Sequence, residues 1–372
     1  MIFDLLDCIY GNELIFGLLG LLLATLLSMY FVPALRELAT AKNLTDSPSA
    51  RKSHSLQVPI LGGVAIYFAA FFTIAIFIFF FDDLSFSTTS FLLAFGSITL
   101  LVVGVLDDIF GLKPLTKLIF QISIAVIVVY TLQFNIENMN GLLGLFELPK
   151  SISLILFLFI YVVFMNMLNL IDGIDGLASG LSLIAFTFFS FVAYRTESYF
   201  NMLLCMSFIG SLIPFIYFNM FSEKKIFLGD NGSLILGFTL GFLSLNLLSL
   251  DNSISISVFG VNTPLVLMSL FSFPLVDTLR VFTIRILRNR SPFSPDKNHV
   301  HHHLIRLGLT HRQATLLILV YTILITSLSF FLLEVNINIA FVVLLTVAIC
   351  SIFLPTFLEH KTDDSIQFIS RN

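Results

Sequence analysis

Residues 14–35 read LIFGLLGLLLATLLSMYFVPAL, without one charged side chain. A helix needs about 20 mostly apolar residues to cross the hydrocarbon core of a bilayer, and this stretch supplies them. Comparable runs recur near 60–81, 88–106, 116–134, 152–169, 177–194, 201–218, 232–250, 257–284, 313–333 and 337–358. The pattern predicts an all-α, polytopic integral membrane protein of about eleven transmembrane helices. Residues 1–358 are expected to form one transmembrane domain and 359–372 a short cytoplasmic tail. The long ninth run is expected to tilt, or to kink at Pro274.

Composition agrees. Of 372 residues, 57% are hydrophobic and 11% charged, against about 25% charged in an ordinary soluble domain. So few charges cannot cover a water-facing surface. The net charge of −4 lacks the basic excess expected of a nucleic-acid partner. Cys8, Cys205 and Cys350 stand far apart in or beside apolar runs, which suits neither a disulfide framework nor a Cys-based zinc site. No Lys or Arg precedes Arg36, and the start carries Asp4, Asp7 and Glu13. That is not the basic opening of a signal peptide, so the first span is expected to stay uncleaved.

Charge also orients the chain. Of the 19 Lys and Arg, only Lys150 and Arg195 fall outside the odd-numbered loops and the C-terminal tail. Under the positive-inside bias those loops and the C-terminus are cytoplasmic and the N-terminus is outside. All seven His are on the same side. Such one-sidedness predicts an active site on the cytoplasmic loops, where a soluble reactant meets a lipid headgroup. A transporter, the competing class, more often sets ionisable groups near the bilayer midplane. Asp277 is its best candidate here, but Arg280 three residues on offers it an ion pair.

Five loops carry the chemistry. The first includes Arg51, Lys52 and His54. The third reads LDDIFGLKPLTK over 106–117. Adjacent Asp107 and Asp108 repel one another unless a cation or shared proton compensates, while Lys113 and Lys117 can hold a phosphate beside them. The fifth reads NMLNLIDGIDGLASG over 166–180. There Asn166, Asn169, Asp172 and Asp175 recur every third residue, one polar stripe if the helix is continuous. Hard oxygen donors beside Gly suit Mg²⁺. The seventh ends in KKIFLGDNGS, 224–233, with Asp230 a helix cap or a metal ligand. The ninth runs RILRNRSPFSPDKNHVHHHLIRLG, 285–308. Its His299, His301 and His302 lie among Arg285, Arg288 and other basic residues, company that favours an anionic ligand such as a diphosphate over a cation. Attraction to anionic lipid is the plainer account of those arginines.

In this order, DDIFGL, NxxNxxDGxDGLA, FLGDNGS and HVHH resemble the polyprenyl-phosphate N-acetylhexosamine-1-phosphate transferase family, from Arg51 to Gly308. The resemblance implies transfer of a sugar 1-phosphate from a UDP-sugar donor to a polyprenyl phosphate acceptor in the bacterial inner membrane, with release of UMP. It implies Mg²⁺, with Mn²⁺ as a substitute, on Asn169 and Asp230. Asp107 and Asp108 would deprotonate or orient the lipid phosphate, and Lys117 would steady it. Asp175 resembles the uracil-binding acid and Phe227 the ring on which uracil stacks. His299, His301 and His302, with the nearby arginines, would hold sugar and diphosphate, and Arg51, Lys52 and His54 would line the same mouth. Asn166 and Asp172 join the substrate-binding set. The peptidoglycan enzyme of this family has three consecutive His followed by Phe and Glu in its ninth loop. Here the run is His-Val-His-His-His-Leu, which looks like the N-acetylglucosamine branch and makes a MurNAc-pentapeptide donor the alternative. Direct attack by the lipid phosphate is preferred over an aspartyl-phosphate intermediate, because a dianionic phosphate is already an adequate nucleophile. Homodimer formation is left open.

Overall fold

The computed structural model describes residues 12–46, 58–81, 87–136, 138–249, 263–291 and 298–370. Thirteen helices carry the chain among these residues. In order they are α1 (Glu13–Ala41), α2 (Gly62–Phe80), α3 (Thr88–Phe110), α4 (Pro114–Thr131), α5 (Lys150–Ile171), α6 (Leu177–Arg195) and α7 (Tyr199–Ile216, prolonged by a π-helical turn to Phe221). They continue as α8 (Gly229–Leu248), α9 (Thr263–Leu270), α10 (Ser272–Leu287), α11 (Val300–Arg306), α12 (His311–Phe331) and α13 (Ile337–Ser370). Two small antiparallel pairs decorate the bundle: β1 (Thr45–Asp46) with β2 (Val58–Pro59), and β3 (Asn138–Leu142) with β4 (Leu145–Glu147).

Ten of these helices are long and apolar enough to span a bilayer, and α9 with α10, bent against each other, make eleven if the pair crosses as one span. The two halves bend by 69° at Phe271. The break falls one turn before Pro274, the residue at which a kink was expected. Proline has no N–H to bond the carbonyl of Leu270, four residues back, and its ring crowds that carbonyl; the break leaves Pro274 in the first turn of the new helix, where neither matters. The expected boundary at residue 358 lies inside α13, which runs on to Ser370.

The helices are sorted by face. On α1, Gly20, Ala24, Ser28 and Val32 are buried at four-residue spacing, while Leu14, Leu18, Leu22 and Leu26 point outward. In water those leucines would be a large exposed apolar patch; in lipid they are solvated. The centre of the bundle is α8. Its most apolar window is 89% buried, against 67% or less for the other spanning helices. Small residues let neighbours approach it closely. A Cβ on Gly63 of α2 would overlap the backbone of Gly232, and one on Gly104 of α3 would overlap that of Asn231. The start of α8 is thereby clamped between α2 and the end of α3, where the acidic residues lie.

Candidate active site

The core of the site is a junction of helix ends. Asp107 and Asp108 occupy the last turn of α3, the negative end of its dipole, where carboxylates are disfavoured. They meet the positive N-terminal end of α8, whose own N-cap residue, Leu228, supplies no side-chain hydrogen bond. Asp108 takes over that task. Its Oδ1 accepts from the N–H of Asp230 at 3.1 Å, and its Oδ2 from the N–H and Nδ2 of Asn231 at 3.2 and 2.6 Å. Asn231, fully buried, donates also to the carbonyl of Ile60 at 2.8 Å. Thus an acid of α3 caps α8, and one amide fastens the entry of α2 to both.

Asp107 does something different. Its Oδ1 accepts from the N–H of Leu112 at 2.6 Å, closing the turn at Gly111 that ends α3. Its Oδ2 binds Lys117 Nζ at 2.7 Å, and the same ammonium binds Asp230 Oδ2 at 2.7 Å. Lys117 comes from the first turn of α4 and is partly buried. The compensating cation that adjacent Asp107 and Asp108 require is therefore Lys117 for one acid and the end of α8 for the other.

The polar stripe of the fifth loop is interrupted. Helix α5 ends at Ile171, so Asn166 and Asn169 lie on it while Asp172 and Asp175 lie in the turn beyond. Asn169 donates to Ser233 Oγ at 3.0 Å and reaches the Asp230 carboxylate. Asn166 instead ties α5 to α4, donating to Gln121 Oε1 at 2.6 Å and to its own helix at Val162. Burial, together with the carboxylates of Asp230, Asp108 and Asp175, pushes Asp172 well above the usual carboxylate range. Among the described residues the charged groups that raise it are those three acids, a crowding that a cation relieves.

Asp175 has the opposite environment. Burial alone would raise it, but hydrogen bonds from His311 and Lys225 outweigh that and hold it below its ordinary value. Lys225 ion-pairs with its Oδ2, and His311 Nδ1 stands 3.7 Å away. Lys225 is two residues from half-buried Phe227, whose backbone is fixed by bonds to Pro59 (2.7 Å) and Gly62 (3.0 Å). Asp175 and Phe227 are thus carried by segments that touch.

The histidine segment docks onto the same end of the bundle. Helix α11 starts after His299, whose Nδ1 lies 2.8 Å from Asp277 Oδ2. The ring of His301 stacks on His299 with centroids 5.7 Å apart, and His302 lies 4.3 Å from His301. His301 is buried, and among the described residues neither of its ring nitrogens has a hydrogen-bond partner. Burial and the neighbouring His302 and His299 hold it well below the usual imidazole range, and hence neutral. A Cβ on Gly173 would strike His301 Nε2, so the histidine lies directly over the Asp172 turn. Arg285 is buried near the end of α10, and Arg288 is exposed at its C-cap. Arg51, Lys52 and His54 lie outside the described residues.

Several contributors were not singled out from the sequence: Asn231, Lys225, His311, Gln121 and Glu359, which pairs with His303 and Arg306. As for a cation, no three His, Cys, Asp or Glu side chains among the described residues converge into a protein-only cage. Asp172, Asp230 and Asn169 are nevertheless hard oxygen donors around an acidic turn. Such a set fits Mg²⁺, which keeps waters and binds through one or two carboxylates plus substrate phosphate.

Clustered acids, the paired Lys117 and Lys225, and a histidine segment are thus gathered at one end of a bundle of spanning helices. Residues 90–248 match the model of glycosyl transferase family 4. The chain is 34% identical to the undecaprenyl-phosphate alpha-N-acetylglucosaminyl 1-phosphate transferase of Haemophilus influenzae, over 76% of this chain and 78% of the relative. It is 29% identical to a probable undecaprenyl-phosphate N-acetylglucosaminyl 1-phosphate transferase of Bacillus subtilis, over 78% and 77%. To the corresponding Escherichia coli K12 protein it is 27% identical, over 84% and 82%. The chain belongs to glycosyl transferase family 4.

Proposed function

We propose that this protein transfers N-acetylglucosamine 1-phosphate from UDP-N-acetylglucosamine to undecaprenyl phosphate. The products are undecaprenyl-diphosphate-N-acetylglucosamine and UMP, and the reaction starts a lipid-linked cell-surface polysaccharide. The observation that carries this reading is the single ammonium of Lys117 held between Asp107 and Asp230. The similarity to transferases bearing that name supports it.

Phosphoryl transfer depends mainly on positioning and charge neutralisation. An oxygen of the lipid phosphate attacks the β-phosphorus of the donor, the bond to the bridging oxygen breaks, and UMP leaves with both of that bond's electrons. Lys117 steadies the attacking phosphate. Asp107, within reach of the same ammonium, orients it and takes the proton of a monoprotonated lipid phosphate, whose second pKa lies near 6. Asp108 keeps the N-terminus of α8 in place, so that Asp230 stays aimed at the junction. Asp175 and Phe227 hold the uracil, and His299, His301 and His302 with Arg285 and Arg288 hold the sugar diphosphate. Mg²⁺, for which Mn²⁺ would substitute, would sit on Asp230 and Asn169 with Asp172 adjacent, and would supply neutralisation of the diphosphate. The protein lies in the bacterial cytoplasmic membrane, with these loops and the C-terminus cytoplasmic and the N-terminus outside.

Purified protein in detergent, given undecaprenyl phosphate, Mg²⁺ and radiolabelled UDP-N-acetylglucosamine, is expected to move label into lipid. EDTA and Asp230→Ala should each abolish transfer. Transfer only from UDP-MurNAc-pentapeptide, or transfer unaffected by EDTA, would refute the reading.

A further inference from the structure

Asp277 is completely buried in α10, where a lone carboxylate would be untenable. Both of its oxygens are used. Oδ1 accepts from Arg280 at 2.9 Å and from the N–H of Val300 at 3.1 Å, and Oδ2 faces His299 Nδ1 at 2.8 Å. Arg280 in turn donates to the carbonyl of Asn298 and lies 3.3 Å from Thr356 Oγ1 on α13. The ion pair with Arg280 gives the carboxylate a counter-charge. It does not explain why the second oxygen is spent on His299, 22 residues downstream.

We propose that Asp277 is a positioning residue for His299: its carboxylate accepts the Nδ1 proton, holds the ring flat against His301 over the Asp172–Gly173 turn, and leaves Nε2 as the atom offered to the donor's diphosphate. The proposal rests on the transferase reading above and adds a residue to it. Three features support it. With Nδ1–H given to a carboxylate, imidazole is fixed in one orientation and one tautomer. The stacked ring below, His301, is itself wedged onto Gly173, so the orientation set by Asp277 is passed to the acidic turn through direct contact. Finally, the same carboxylate accepts from the N–H of Val300, so it fixes the backbone next to His299 as well as the ring. Arg280 is the counter-charge that keeps the acid an acceptor.

The test is a double-mutant cycle on the full chain in detergent, with turnover of UDP-N-acetylglucosamine as readout. Asp277→Asn in the wild-type background is expected to lower kcat/KM by on the order of 10- to 100-fold, the usual cost of removing a group that orients a functional histidine. In a His299→Ala background the same change should cost less than about threefold, because the residue it positions is gone. An equal cost in both backgrounds would mean that Asp277 serves only the fold, and would overturn the proposal. So would a wild-type level of activity in Asp277→Asn. If Asp277→Asn does not fold, the wild-type protein still answers by ¹⁵N-histidine NMR, with the His299 signal assigned by its loss in His299→Ala. The Nδ1–H tautomer is expected, and the Nε2–H tautomer contradicts the proposal. Absence of turnover by the folded wild-type protein would instead sink the parent reading, and the proposal with it.

Discussion

Lys117 Nζ lies 2.7 Å from Asp230 Oδ2, joining the first turn of α4 to the start of α8 across 113 positions of sequence. The same atom lies 2.7 Å from Asp107 Oδ2. One cation therefore holds two carboxylates that would otherwise repel, and it does so where a lipid phosphate would enter. Removing it should be felt in turnover. Lys117→Ala is expected to lower kcat by about 10²–10³-fold, the scale of losing one group aimed at transition-state charge. Lys117→Arg should recover part of the loss, since charge is kept but the geometry is not. Steady-state rates with undecaprenyl phosphate varied would check this, and a loss under about threefold in Lys117→Ala would contradict it.

Asp107 and Asp108 are adjacent yet should separate in experiment. Asp108→Ala leaves the N–H groups of Asp230 and Asn231 without their acceptor and the Asn231 amide with only the carbonyl of Ile60, at a cost of about 1–3 kcal/mol. Asp107→Ala removes a partner of Lys117 and a bond to Leu112. Thermal unfolding in detergent should show the larger drop in Tm for Asp108→Ala. Asp107→Ala should combine a smaller drop with the greater loss of activity per folded molecule. The reverse ranking would show that the roles are exchanged.

Much of this architecture is visible in the sequence, and the reason is physical. Hydrocarbon thickness fixes the length of a span, so apolar runs map onto α2 to α8 and α12 within a few residues, whereas α1 and α13 start as expected and run on past their apolar stretches to Ala41 and Ser370. Polar side chains in so apolar a chain are costly, so those at the loops mark the site: Asp107, Lys117, Asn169 and Asp230 do converge. What escapes is pairing between distant helix ends. Nothing in the motif around Asp108 says that it caps α8, because the capped N–H groups lie 122 and 123 residues away. Asp277 reads as half of an i,i+3 ion pair, and that pair exists. Its bond to His299, 22 residues downstream, is a tertiary pairing that no spacing encodes. The three-residue stripe from Asn166 to Asp175 assumed a helix that stops at Ile171.

Asn166 illustrates the consequence. It belongs to the motif but clasps α4 to α5 through Gln121. Hydrogen bonds between spanning helices average about 0.6 kcal/mol and reach about 1.7. Asn166→Ala and Gln121→Ala should each destabilise by an amount in that range, and the double variant by little more than either. Additive losses in Tm would mean the two residues act separately.

Acid should weaken the Asp175 cluster. Its carboxyl is held below the ordinary value by His311 and Lys225, so the unfolded chain takes up the proton first. The stabilisation is complete above the unfolded value of about 4 and is lost as pH falls through the lower folded value. Unfolding of wild type and Asp175→Asn, followed from neutral pH to about pH 3, should therefore show a difference at neutral pH that closes at the acid end. A gap that widens toward acid would reverse the sign and reject the assignment.

The most direct measurement follows the β-phosphorus. Donor UDP-N-acetylglucosamine labelled with ³²P at the β-phosphate is incubated with the protein, Mg²⁺ and undecaprenyl phosphate. Transfer of the sugar 1-phosphate predicts that the label enters the lipid together with N-acetylglucosamine, and that the released nucleotide is unlabelled UMP. Release of labelled UDP, with unlabelled sugar on the lipid, would mean that the sugar alone is transferred, and would contradict the account.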